Sequence, residues 1–402
     1  MPAPAVSRTL VAEGAPRGGL AALCITQTTA WGVLYYALMT AVGPICEDTG
    51  WDPALVTGAF SAGLVVSAAV GIAVGTMLDW TGPRNLMVAG SLVGVLAVAL
   101  AALSPNLVWF AGAWLLAGTA QAAVLYQPAF TVISRWYGPA RVRPLTILTL
   151  VAGFASTIFA PLTAALCTAI GWRGAFLVLA GLLGAVTVPL HTRYLNRAWQ
   201  QELSAAQLVE DAAQVRRIRR SHDFLAHQAL MVVLCLGLYT VTLNIIPLLM
   251  EKGADYTLAA LGLGLVGAGQ VAGRLLFAAL PTKARIPAVA GTATAALLLL
   301  AFMPGPAPLL IGAGMIAGAV RGCQTLLQAT IVATNWGATG LGTLQGLFTA
   351  PLTIVTALAP ALGPALATWS GSFTTMTYTM AAATGTALLI TVGHTVRGRH
   401  AR

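Results

Sequence analysis

Two arginines stand inside long apolar stretches: Arg274, seven residues before Pro281, and Arg321, deep in the run that follows Pro308. An ionisable side chain at membrane depth is costly and persists where it faces a cavity or a partner. No partner of opposite charge is near in sequence, because all 11 acidic residues fall in loops or at the ends of apolar runs. Two buried cations without buried anions leave a positive cavity, and the natural missing partner is an anionic ligand. The planar guanidinium fork suits a carboxylate or a phosphate-like group. The plainer alternatives are pairing with helix carbonyls for Arg321 and snorkelling to the interface for Arg274. Pro281 is about 10 Å from Arg274 along a helix.

Other polar side chains in the apolar runs extend this candidate binding set. Arg321, Gln324 and Gln328 are spaced i, i+3 and i+7, which is one helix face. Gln270 lies one turn before Arg274, and Gln121, Gln127, Tyr35, Tyr36, Tyr239 and Asn244 lie in further runs. Hydrogen bonding inside the bundle, without ligand contact, is the alternative for each of them.

Other chemistry finds no support. No nucleophile–base or metal-ligand constellation is visible, so neither an enzyme nor a cofactor is expected. No Gly-x-x-x-x-Gly-Lys-Ser/Thr loop is present. The five cysteines form no CxxC and are odd in number. They read as small packing residues, with a metalloid site assembled in three dimensions as the alternative. The formal charge of +10 does not imply nucleic-acid binding, since the basic residues sit in short loops between apolar runs.

The elements that must position these residues are membrane helices. The chain is 58% hydrophobic and 8% charged, against about 25% charge in soluble domains. A span needs about 20 apolar residues, and lipid offers no partner for unpaired backbone, which leaves helices. Breaking the chain at its polar and Gly/Pro points gives spans at 19–44, 53–78, 85–103, 107–135, 144–170, 174–194, 223–250, 257–280, 286–303, 307–335, 338–368 and 372–394. Residues 1–18 are short and polar and do not read as a cleavable signal. With the N-terminus inside, 17 of the 21 Lys and Arg residues fall on the cytoplasmic side and only Arg173 and Lys252 outside. That asymmetry predicts twelve spans with both ends cytoplasmic.

Residues 195–222 are a polar linker with Arg216, Arg217, Arg219 and Arg220, separating a half at 1–194 from a half at 223–402. The halves repeat at an offset near 200. Gly118 and Trp136 match Gly318 and Trp336, Pro161 matches Pro360, and Trp172-x-Gly174-x-Phe176 matches Trp369-x-Gly371-x-Phe373. Six-helix repeats about a central cavity are a transporter architecture.

Between spans 2 and 3 stands Gly75-Thr-Met-Leu-Asp79-Trp-Thr-Gly82-Pro-Arg84. It resembles the signature loop of the major facilitator superfamily, Gly-x-x-x-Asp-x-x-Gly-x-Arg. The resemblance implies that Gly75, Asp79, Gly82 and Arg84 act in gating, with Asp79 and Arg84 latching neighbouring helices. It also implies that spans 1, 4, 7 and 10 line the path. The second-half equivalent, Leu280-Pro-Thr-Lys283-Ala-Arg285, lacks the acid. Entering span 5, Trp136-Tyr137-x-x-x-Arg141-x-Arg143-Pro144-Leu145 resembles bacterial members of the monocarboxylate transporter and oxalate–formate exchanger group, which adds Arg141 and Arg143 to the gating set. Trp31-Gly32 keeps a fragment of another motif of that group. Gln270 stands where the monocarboxylate carriers have the Asp of Asp-x-x-x-Arg. Without that acid, uniport or anion exchange fits the charges. Proton symport requires the proton to travel on the substrate or through His227.

The expectation is an all-α integral membrane protein of twelve helices in two six-helix halves. It would be a monomeric secondary carrier of a small organic anion in a bacterial cell membrane. Efflux of a drug, metabolite or metalloid is the alternative, and a non-transporting sensor a third reading.

Overall fold

The computed structural model describes residues 15–196 and 205–400, so Arg8, Glu13, Arg197, Glu202 and Arg402 lie outside the described residues. The chain is a bundle of helices, and twelve spans follow from the described residues. Span 1 is Gly19–Trp31 and Ala37–Thr49, joined by a π-helical stretch at Gly32–Tyr36. Span 2 is Pro53–Thr81 and span 3 is Pro83–Ala102. Span 4 breaks into Leu107–Val124 and Tyr126–Tyr137. Span 5 begins as Val142–Gly153 and continues into Ala155–Tyr194, where Gly171 at φ 71° turns the chain into span 6. The linker carries the helix Ala205–Arg219.

Span 7 is His222–Leu243 followed by Ile245–Glu251, and span 8 is Tyr256–Phe277. Spans 9 to 12 are Arg285–Phe302, Ala307–Trp336, Leu341–Ser370 and Phe373–His400. Four starts are set by side chains that accept from an orphan amide of the first turn. Asp52 accepts from Ala54, Asn106 from Trp109, Ser221 from Phe224 and Asp255 from Leu258. Asp52 is helped by Pro53, whose fixed φ and missing N–H suit the first helical position.

The packing repeats by six spans. Span 1 packs on span 5 as span 7 packs on span 11; spans 2 and 4 pair as 8 and 10 do; spans 3 and 6 pair as 9 and 12 do. Gly118 and Gly318 show why the sequence repeats. A Cβ on Gly118 would collide with the backbone of Gly63 in span 2, and one on Gly318 with the backbone of Val266 in span 8. Helices in lipid gain from this closeness through dispersion rather than from any drive out of water.

The acid that closes the far end of each half repeats as well. Asp48, at the end of span 1, accepts from Trp172 Nε1 at 2.9 Å and pairs with Arg173. Glu251, at the end of span 7, accepts from the amides of Phe373 and Thr374 at 2.6 and 2.9 Å. The repeat fails at Trp369, which is 83% exposed whereas Trp172 is buried.

The halves meet at the end of the bundle that carries the linker. Spans 2 and 11 cross so closely there that a Cβ on Gly75 would strike the Gly342 carbonyl. The linker ends of spans 4 and 5 pack on spans 8, 10 and 11.

Candidate functional site

Broken helices shape the middle of the bundle. Pro128 lacks an N–H and frees the Val124 carbonyl one turn back. Gln27 of span 1 donates to that carbonyl through Nε2. In the π-helical stretch of span 1, where a wider turn leaves backbone irregular, the Leu34 carbonyl accepts from Gln121 Nε2 at 2.7 Å. Span 7 breaks at Asn244, three residues before Pro247. Asn244 Nδ2 donates to the Thr240 carbonyl at 2.9 Å and approaches that of Ala359. Gln127 Nε2 donates to the Gly71 carbonyl at 2.7 Å. Lipid cannot satisfy freed backbone groups, so side chains do.

Gln121, Gln127 and Asn244 therefore spend donors on backbone in this state. Gln324 is fully buried and turns toward Cys235, its Nε2 2.8 Å from the sulfur. Gln328 and Gln270 are half-buried.

The break in span 1 sets Tyr35 and Tyr36 on an aromatic wall. Trp31 packs on Tyr35 and Tyr126 at centroid distances of 5.2 and 4.8 Å, and Tyr35 meets Tyr36 and Phe60 edge-on. Arg321 faces this wall from the other half. Its guanidinium carbon lies 3.8 Å from the Tyr239 ring centroid, a cation–π contact, and its Nη1 donates to Thr242 Oγ1 at 3.1 Å. Arg274 is buried and donates through Nη1 to the Thr149 carbonyl of span 5 at 2.8 Å. Neither arginine has a carboxylate partner among the described residues, and the Nε of each is buried without a hydrogen bond. The structure thus sets Arg321 on Tyr239 and Tyr35 against Tyr36, while Arg274 bonds across the halves to span 5.

The residues expected to act in gating lie at the linker end. Asp79 pairs with Arg135 at 2.7 Å and accepts from the amides of Gly342 and Thr343 at 2.9 and 2.7 Å. Thr343 Oγ1 donates to the same carboxylate at 2.9 Å. Gly82 turns the chain at φ 77°. Arg141 donates to the Gly138 carbonyl and, across the halves, to Thr334 Oγ1 at 2.7 Å. Arg84 and Arg143 are exposed, so Asp79 is latched to Arg135 and not to Arg84.

Sequence reading took Arg135 only as a topological charge, and it missed Tyr126, Thr242 and Thr149. The polar side chains at helical depth could have pointed to Thr242. Nothing in the sequence pairs Arg135 with Asp79.

A model of the family described as Major Facilitator Superfamily matches residues 23–307. The chain belongs to that superfamily. Members of that superfamily are multi-pass membrane transporters of small solutes. It is 29% identical over 201 residues to "Monocarboxylate transporter 11" of Homo sapiens, a match covering 47% of this chain and 40% of that protein. The mouse protein of the same name is 30% identical over 189 residues, covering 44% and 40%. The chain thus spans well under half the length of these curated relatives.

Among solved superfamily structures it is similar to the E. coli fucose:proton symporter FucP, with TM-score 0.71 at 15% identity over 92% of this chain and 97% of that one. FucP in an outward conformation gives 0.70 at 14% identity, with the same coverage. The human organic anion transporter MFSD10 (TETRAN) gives 0.64 at 16% identity over 92% and 96%. At such identities the likeness speaks for the fold alone.

Proposed function

We propose that this transporter is a secondary carrier that moves a small organic anion, a monocarboxylate or dicarboxylate, by alternating access. The observation that carries the reading is Arg321. Its guanidinium stands mid-span on the Tyr239 ring, with Nε unpaired and no carboxylate bound to it among the described residues. A half-buried cation at membrane depth without a counter-ion is unfavourable, and an arriving carboxylate supplies two acceptors to the fork. The aromatic side chains of spans 1 and 4 would take the apolar body of the anion. Arg274, Gln270 and Gln328 extend the site. Gln121, Gln127, Gln324 and Asn244 hold the broken helices that shape it. The name of the monocarboxylate carriers, which match under half of this chain, agrees with this cargo.

In this reading the linker end is cytoplasmic, because it carries the excess of basic residues. The membrane is a bacterial cell membrane and the carrier works as a monomer. The latch of Asp79, Arg135 and Arg141 then closes the cytoplasmic side, which makes the state outward-facing. Uniport or exchange fits a site whose charges are both arginines. His227 sits in the second turn of span 7, bonded to the Asp223 carbonyl and edge-on to Trp336, about three turns from Tyr239.

The test is counterflow of labelled lactate, succinate and benzoate into proteoliposomes, with Arg321→Ala beside the parent protein. Uptake of at least one anion, lost in the variant, is expected. Uptake of neutral sugars but of no anion, or unchanged affinity in Arg321→Ala, would overturn the reading.

A further inference from the structure

The linker helix Ala205–Arg219 leads straight into span 7, whose first residue, His222, follows the capping Ser221. Val215 and Ile218 are three apart and form the face that this helix turns to the protein. Val215 fills the notch left by Gly340, since a Cβ on that glycine would collide with Val215 Cγ2. Ile218 is buried. The helix packs on the start of span 11 and on span 7. Gly340 stands two residues before Gly342, whose amide donates to Asp79. The linker helix is therefore seated beside the contact that joins the halves.

The rest of its last turn is basic. Arg216, Arg217, Arg219 and Arg220 are exposed, and none of them forms an ion pair among the described residues. The acids of this helix, Glu210 and Asp211, lie more than a turn earlier. Arg216 and Arg219 are three apart, a spacing at which like charges destabilise a helix. A helix end favours one cation, but four exposed guanidinium groups within five positions call for anions. Each of the four lies within six residues of His222, where span 7 begins. Six residues of helix rise about 9 Å, which keeps the cluster beside the lipid headgroups that border the hydrocarbon. Guanidinium matches phosphate through paired hydrogen bonds, and a basic cluster next to a span attracts anionic lipid.

We infer that Arg216, Arg217, Arg219 and Arg220 form a binding surface for anionic phospholipid headgroups, and that this surface steadies the closed linker end. Headgroup phosphates neutralise the cluster and hold the helix at the membrane. Val215 then stays seated on Gly340, and the start of span 11 stays where Asp79 caps it. The surface acts whatever solute is carried, so it does not rest on the anion reading above.

The experiment is hydrogen–deuterium exchange on the full chain in nanodiscs, one set of phosphatidylcholine alone and one of phosphatidylcholine and phosphatidylglycerol in equal parts. The peptides followed are 205–219 and 341–349. Phosphatidylglycerol is expected to slow exchange in 205–219 by about tenfold, within what a few basic residues contribute at an anionic surface, and in 341–349 by a smaller factor. Salt at about 0.5 M should remove the difference. Equal exchange in the two lipids overturns the surface.

Glutamine at all four arginine positions should abolish the lipid effect and leave exchange in phosphatidylcholine within about twofold of the parent. An undiminished effect overturns the assignment to these arginines. Two double variants, Arg216→Gln with Arg217→Gln and Arg219→Gln with Arg220→Gln, serve if the fourfold change prevents insertion. Each should leave about a threefold slowing, and full slowing in both overturns the assignment equally. Inorganic phosphate added to phosphatidylcholine nanodiscs should have no effect. Slowing as large as that from phosphatidylglycerol would assign the surface to soluble anions and overturn the lipid. Val215→Ala should keep the slowing in 205–219 and lose it in 341–349. A response in 341–349 that survives Val215→Ala overturns the coupling to span 11.

Discussion

The Asp79 carboxylate of span 2 accepts a hydrogen bond from the Thr343 amide of span 11 at 2.7 Å. An acid from one half thus caps the first turn of a helix in the other half. Thr343 lies among the orphan amides of a helix start, where partial positive charge favours an anion. The same carboxylate holds Arg135 of span 4. One side chain therefore joins three spans across the interface between the halves.

Asp79→Asn removes the charge and keeps much of the shape. It should weaken the closed linker end by about 1.5–3 kcal/mol. Arg84→Gln should cost under about 0.5 kcal/mol, as an exposed change does. Hydrogen–deuterium exchange of the peptide at the start of span 11 would show Asp79→Asn exchanging faster and Arg84→Gln exchanging like the parent protein. Equal effects of the two changes would return Arg84 to the latch.

Arg321→Lys keeps the charge but loses the flat face on Tyr239 and the two-pronged fork. The half-saturation for the anion should rise about tenfold, and Arg321→Ala should lose about a hundredfold. Concentration dependence of counterflow separates the two. A lysine variant as good as the parent would mean that charge alone suffices.

Gly75→Val places a side chain where the Gly342 carbonyl now lies. Spans 2 and 11 can then no longer meet at the linker end. Transport should fall more than tenfold with the protein still inserted and folded, and hydrogen–deuterium exchange at the start of span 11 should rise in the absence of substrate. Normal turnover in this variant would show that the crossing seen here is not required.

Gln27→Leu leaves the Val124 carbonyl without its donor at the break before Pro128. A buried orphan carbonyl costs about 1–3 kcal/mol. The thermal midpoint in detergent should drop by a few degrees, with anion half-saturation little changed. A loss of affinity without a loss of stability would place Gln27 in the binding site instead.

Much of this was open to sequence reading, because bilayer thickness and charge asymmetry act on single segments. The predicted spans at 53–78 and 307–335 meet helices at Pro53–Thr81 and Ala307–Trp336. Errors fall at ends, as for span 11, which begins at Leu341 and not at 338, after the turn of Gly337 and Gly340. The interior breaks at Leu125, Phe154 and Asn244 were not read, since each lies inside an unbroken apolar run.

The sequence alone determined the twelve spans, the repeat at Gly118 and Gly318, and the presence of Arg274 and Arg321 where no acid could follow them. Those features rest on local composition and on period, which a linear chain displays. The tertiary structure alone decided which partners the buried donors take. It gave Gln121 to the Leu34 carbonyl, Arg135 to Asp79, and Arg274 to Thr149 across 125 positions of chain. A hydrogen bond depends on distance and direction in space, and side chains on different spans meet only once the bundle is folded.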